Sequence, residues 1–124
     1  SATKITSLEM DEEQCRFLVP GDFDQDGQVE LVAAGYKSGL WLIDQQKDGS
    51  WKNILIDADS AGFEHASFGA DLDSDKKLEL YVAADNQGSF NRYLWNAEAK
   101  KFDKEKIGEI AENTFTWNIV SGEF

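Results

Sequence analysis

The chain has 124 residues, the size of one domain, and 24 Asp and Glu against 12 Lys and Arg leave a formal net charge of −12. Hydrophobic residues at 41% and aromatics at 12% supply enough apolar side chain for a folded core. The acidic balance argues against a grip on DNA, RNA or an anionic membrane, which clustered cations provide, and no apolar run is long enough to insert in a bilayer as a helix.

Residues 5–10 open the chain with an apolar segment expected to pair as an extra or exchanged strand. Residues 15–19 read as a strand that begins at Cys15, the only cysteine, so neither an internal disulfide nor a thiolate zinc site is available. Cys15 is expected to be a small buried apolar residue, with Arg16 on the opposite strand face. After an acidic loop come apolar runs at 29–35, 40–43, 53–56, 66–70, 78–84, 90–95 and 114–120. They favour β-branched and aromatic residues, and Lys37-Ser38-Gly39, Lys47-Asp48-Gly49 and Asn86-Gln87-Gly88 punctuate them as turns. Residues 98–112, rich in Lys, Glu and Ala, come nearest to a helix, but Gly108 separates Ile107 from Ile110 and only Phe102 precedes them as an apolar anchor. The spacing predicts a single all-β domain over residues 1–124.

The chain repeats. Gly21-Asp22-Phe23-Asp24-Gln25-Asp26-Gly27-Gln28-Val29-Glu30-Leu31 is matched by Ala70-Asp71-Leu72-Asp73-Ser74-Asp75-Lys76-Lys77-Leu78-Glu79-Leu80, with Asp71 standing 49 residues after Asp22. Each copy has an apolar strand before it and another after it. Gly122-Glu123-Phe124, preceded by an expected strand at 117–120, reads as the start of a third copy. The repeats fall at about 15–64, 65–113 and 114–124. A unit of about fifty residues with four strands has the period of a β-propeller blade. The expected fold is therefore all-β, built of propeller-type blades of four antiparallel strands: about two blades plus one strand. Propellers close with roughly four to eight blades, so the chain is expected to be a fragment of a larger propeller or to assemble into one. Self-association through open blade faces is expected with it.

The acidic loop carries the chemistry. Asp22, Asp24, Asp26 and Glu30 occupy positions 1, 3, 5 and 9 of the first copy, and Asp71, Asp73, Asp75 and Glu79 those of the second. Alternate positions in a tight loop aim their carboxylates at a common interior, where the position-7 carbonyls of Gln28 and Lys77 can join them. Hard oxygen donors in that number suit Ca2+, which accepts six to eight of them in irregular geometry. Without a cation, four carboxylates about 5 Å apart repel by roughly 3 kcal/mol per pair at an effective dielectric near 20. Gly27 at position 6 supplies a sharp, left-handed bend. The loop is not an EF-hand, because its twelfth position is Ala33 or Val82, inside an apolar strand.

The Asp-x-Asp-x-Asp-Gly-x-x-Glu-Leu loop, followed by Val-Ala-Ala-Gly, resembles the FG-GAP or VCBS-type calcium repeat. Such repeats build the seven-bladed propellers of integrin α-subunit heads and of many exported bacterial proteins. The resemblance covers roughly residues 15–124. It implies Ca2+ at the acidic loops, an extracytoplasmic location (secreted, periplasmic or cell surface), and loops that bind a protein or glycan partner. Lys76 replaces the glycine at position 6 of the second loop and forces a side chain into an unfavourable backbone region, costing about 1 kcal/mol. With Lys77 it also brings two positive charges near the ligands, so the second site is expected to be weaker.

The expected function is a calcium-stabilised scaffold or interaction module without enzymatic activity. The alternatives are the scaffold or catalytic part of a polysaccharide-acting propeller enzyme, and a lectin using Trp51 or Tyr36 as a sugar platform. Trp41 and Trp95 are expected to pack between blades, and Trp51 to be the most exposed of the tryptophans. His65 is expected to have a structural role, since Glu64, His65 and Ser67 on one strand cannot line up as a nucleophilic relay.

Overall fold

Eight strands make up most of residues 15–110 in the computed structural model, which describes residue 4 and residues 15–62, 65–110 and 119–122. β1 (Cys15–Gly21), β2 (Glu30–Gly35), β3 (Gly39–Gln45) and β4 (Trp51–Asp57) pair in chain order as one antiparallel sheet. β5 (His65–Ala70), β6 (Glu79–Ala84), β7 (Ser89–Asn96) and β8 (Lys101–Glu109) repeat that order in a second. The described residues contain no helix. Two meandering four-stranded sheets of this kind are propeller-type blades, as the fifty-residue period predicts.

Register explains which side chains meet. In the first sheet Val19, Val32, Leu42 and Ile54 are direct neighbours across the four strands, and Leu18, Ala33, Trp41 and Leu55 form the adjacent row. Because strand side chains alternate, these two rows lie on opposite faces. The first row, with Ala34 and Leu40, packs into a core shared with Leu80, Val82, Ala84 and Tyr93 of the second sheet. The core is therefore the layer between the two sheets. β6 is buried at every position, since both its faces are covered.

The sheets meet most closely where β1 runs beside β5. Phe23, fully buried, lies over the ends of these strands with Leu78. A Cβ on Gly69 would stand 2.8 Å from the Phe23 ring, and one on Gly21 would stand 2.3 Å from Leu78 Cδ2, so a side chain at either place would push Phe23 or Leu78 out of its present seat. Near the opposite end, Asp57 of β4 ties the sheets together. Its Oδ2 accepts hydrogen bonds from the Tyr93 hydroxyl at 2.6 Å and the Lys104 ammonium at 2.8 Å, and its Oδ1 accepts the Asp59 N–H at 2.9 Å. The Asn86 amide donates to the Asp59 carbonyl at 2.6 Å, and the Lys37 N–H to the Ala61 carbonyl at 2.9 Å.

Some expectations are corrected. Cys15 is exposed, because a register shift between Cys15 and Phe17 takes it out of the alternation that half-buries Phe17 and Val19. Trp41, Trp51 and Trp95 are all half-buried. The segment that came nearest to a helix holds no helix among its described residues, as its weak periodicity predicts, and supplies β8, a nine-residue strand with mostly exposed side chains on the sheet edge. Ile119 and Val120 belong to no strand. The expectations for residues 5–10, for Trp117 and for the side chains of Arg16 and His65 fall outside the described residues and side chains.

Candidate metal centre

Each acidic loop closes the hairpin between the first two strands of its sheet, residues 22–29 between β1 and β2 and 71–78 between β5 and β6. The two fold alike because their polar backbone groups find the same partners. Asp22 Oδ2 accepts the Gly27 N–H at 3.0 Å, and Asp71 Oδ2 the Lys76 N–H at 2.8 Å. Asp26 Oδ1 accepts the Gln28 N–H and Asp75 Oδ1 the Lys77 N–H, both at 2.8 Å. At position 3, Asp24 Oδ1 and Asp73 Oδ1 accept the N–H of Asp26 and Asp75 at 3.1 and 3.2 Å. Short carboxylates that bond their own backbone two residues on are the Asx-turn device.

Left-handed backbone recurs at positions 4 and 6. Gln25 and Gly27 have φ of 65° and 89°, and Ser74 and Lys76 have 61° and 69°. A Cβ on Gly27 would meet nothing within 4 Å, so the demand there is conformational and not spatial. Lys76 takes the strained conformation expected of it.

Both loops bring their carboxylates together. One oxygen from each of Asp22, Asp24, Asp26 and Glu30 lies within 4.8 Å of the others, and the same holds for Asp71, Asp73, Asp75 and Glu79. The position-9 glutamates are the inner wall, each fully buried. Glu30 Oε2 accepts the Phe23 N–H at 2.8 Å and Glu79 Oε2 the Leu72 N–H at 3.1 Å, while the Tyr81 hydroxyl also donates to Glu79 Oε2 at 2.9 Å. Gln28 and Lys77 lie on the exposed rim and contribute their backbone N–H groups to the loops as described.

The electrostatics of the first loop follow from this crowding. Burial pushes the Glu30 carboxyl up to about 7, against the Phe23 N–H bond and with help from the Asp24 and Asp26 charges. Asp24 is also raised, by burial first and then by the charges of Asp26, Asp44 and Asp22, while the Asp26 N–H bond opposes the shift.

The residues present fit a divalent cation. Glu30 Oε1, Glu79 Oε1 and Asp22 Oδ1 are buried without a hydrogen-bond partner. A buried carboxylate oxygen lacking a donor is costly, and a cation satisfies several such oxygens at once. The donor set is oxygen throughout, which matches Ca2+ or Mg2+ in place of a softer metal.

Sequence reasoning missed two kinds of residue. Phe23 and Leu78 at positions 2 and 8 read as ordinary loop apolars, though the glycines at 21 and 69 were a signal for a close approach. Asp57 carried no signal, since nothing distinguishes it in sequence from the other acidic residues.

No curated protein and no solved structure was found to match the chain. Comparison with protein families matches residues 22–82, from the first acidic loop through the second, to the FG-GAP-like repeat. With paired loops closing hairpins in paired four-stranded sheets, the chain is an FG-GAP-type repeat protein.

Proposed function

We propose that the acidic loops bind Ca2+ and that the ions stiffen a non-enzymatic interaction module working outside the cytoplasm on a protein or glycan partner. The observation that carries this reading is the buried oxygen without a hydrogen-bond donor on the position-9 glutamate of each loop, Glu30 Oε1 and Glu79 Oε1. In this reading the carbonyls of Gln28 and Lys77 complete the ligand sets at position 7. The first loop is the tighter site, because Lys76 and Lys77 place positive charge on the rim of the second. Calcium modules of this openness have Kd on the order of 0.1–1 mM, so they fill where calcium is abundant, and that supports the extracytoplasmic assignment.

Titration calorimetry with CaCl2, MgCl2 and a chelator-treated blank tests the reading directly. Calcium is expected to bind with heat that Asp24→Asn removes, and to raise the melting temperature. At a hundredfold excess over Kd the gain is about 2.7 kcal/mol. Absence of both heat and stabilisation at millimolar calcium overturns the reading. A glycan array and a panel of polysaccharide substrates, run on the calcium-loaded chain, separate a lectin or an enzyme from a scaffold.

A further inference from the structure

The two acidic loops carry the same ligand set, but their neighbours differ. Tyr81, Arg92 and Glu105 are direct partners across β6, β7 and β8. The same places on β2, β3 and β4 hold Val32, Leu42 and Ile54, all apolar. Arg92 Nη1 stands 4.0 Å from Asp73 Oδ2, while its Nε donates to Glu105 Oε2 at 2.9 Å. Asp73 Oδ1 already accepts the Asp75 N–H, so each oxygen of this ligand candidate faces a donor or a cation. The Tyr81 hydroxyl, which also interacts with Arg92, donates to Glu79 Oε2. Two of the second loop's four carboxylates are thus engaged from one row of side chains. Among the described residues, the four carboxylates of the first loop form no ion pair.

The first loop has a neighbour of the opposite sign. Asp44, near the end of β3, lines one groove with Asp24 and Asp26. After burial and the Asp26 charge, the Asp44 charge is the next to raise the Asp24 carboxyl. Its Oδ2 accepts the Gln46 side-chain amide at 2.9 Å, which holds it in place. Pairing of Leu31 with Ile43, and of Leu80 with Tyr93, puts Leu94 at the matching place in the second sheet. Lys52 and Lys100 line the same groove, but both are exposed, and the charges acting on Asp24 are those of three aspartates.

We propose that Arg92 and Asp44, neither of them among the ligand candidates, set the calcium affinities of the two loops apart. Arg92 is a tethered counter-ion that calcium must displace from Asp73, and Asp44 is an extra carboxylate that draws the ion to the first loop. The inference rests on the calcium reading and goes beyond it, because it places the control of affinity on strands outside the loops. A guanidinium keeps its charge at every working pH, so it competes with a cation for Asp73 at all times. Glu105 lets it yield: bonded to Arg92 through both Nε and Nη2, it keeps the guanidinium paired when Asp73 turns to the ion. The sites then fill in order, the first at lower calcium and the second only as calcium rises further.

Amide NMR during a CaCl2 titration reads the loops separately, with the Gly27 N–H reporting the first and the Lys76 N–H the second. Arg92→Gln is expected to tighten the second site about fivefold, as the loss of one exposed ion-pair partner does, and to leave the first unchanged. Arg92→Lys keeps the charge and is expected to stay near the parent. Asp44→Asn is expected to weaken the first site about threefold and to leave the second unchanged. Both effects are expected to shrink in about 0.5 M KCl, since salt screens charge and leaves packing alone. In each variant the unaffected loop shows that the fold is intact. A second site that Arg92→Gln leaves alone or weakens, or a first site that Asp44→Asn leaves alone, overturns the proposal while the calcium reading stands. Gly27 and Lys76 amides that do not respond to millimolar calcium sink the calcium reading, and this inference with it.

Discussion

Glu30 shows how one side chain can serve two purposes. Its buried carboxylate holds the Phe23 N–H with one oxygen and leaves the other aimed into the acidic cluster without a donor. Burial lifts its pKa to about 7, so the carboxyl competes for a proton at neutral pH when no cation is bound. A raised carboxyl pKa means the folded state binds more protons than the unfolded one between its ordinary value and about 7. The metal-free chain is therefore expected to gain stability as pH falls through that window and to lose it as pH rises. Calcium requires the ionised form, so its affinity is expected to move the other way, weakening as pH drops from 7 to 5. Thermal melts and calcium titrations across that range check both signs; a calcium Kd that is flat with pH removes Glu30 from the ligand set. The carboxylate spacing made all eight ligand candidates legible in sequence. That the glutamates alone would be buried was not, because their burial depends on packing beneath the loop.

At the scale of elements, turn chemistry and strand composition placed the hairpins, and chain-order pairing followed from the short connections. β8 was the hardest element to read. Its Lys and Glu residues suit a helix, yet it pairs along β7 as an edge strand, where exposed charge also discourages pairing with other chains. Asp57 at the end of β4 fastens the first sheet to Tyr93 of β7 and Lys104 of β8. Burial alone would raise its pKa, but the Lys104 and Tyr93 hydrogen bonds outweigh burial and hold the carboxyl below the usual range. A depressed carboxyl pKa contributes stability that is complete above the unfolded value of 3.8 and is lost as pH falls through the folded one. Asp57→Ala is expected to cost about 2 kcal/mol at pH 7, as the loss of charged hydrogen bonds does. Chemical denaturation at pH 7 and below pH 3 checks this, with the difference between parent and variant shrinking in acid. A difference independent of pH would mean that the charge does not carry the contact.

For the whole molecule, what matters is how one sheet recognises the next. The repeat and the blade architecture could be read from the fifty-residue period, but the layer between the sheets could not, since alternating apolar residues face both ways on β2 and β6. Phe23 and Leu72 occupy the same position in their loops, yet Phe23 is fully buried and Leu72 is 53% exposed. Phe23→Ala is therefore expected to lower stability by about 3–5 kcal/mol, and Leu72→Ala to change it by less than about 0.5 kcal/mol. Equal effects in urea unfolding would show that the inter-sheet seat is not where the stability lies.

Every strand of the first sheet pairs with its neighbour in sequence, and the last of them ends at Asp57. During synthesis, that sheet could complete all its backbone pairing before the second had emerged from the ribosome. The newborn second sheet would then meet a finished template, so the chain would mature in a fixed direction, from its amino end onward.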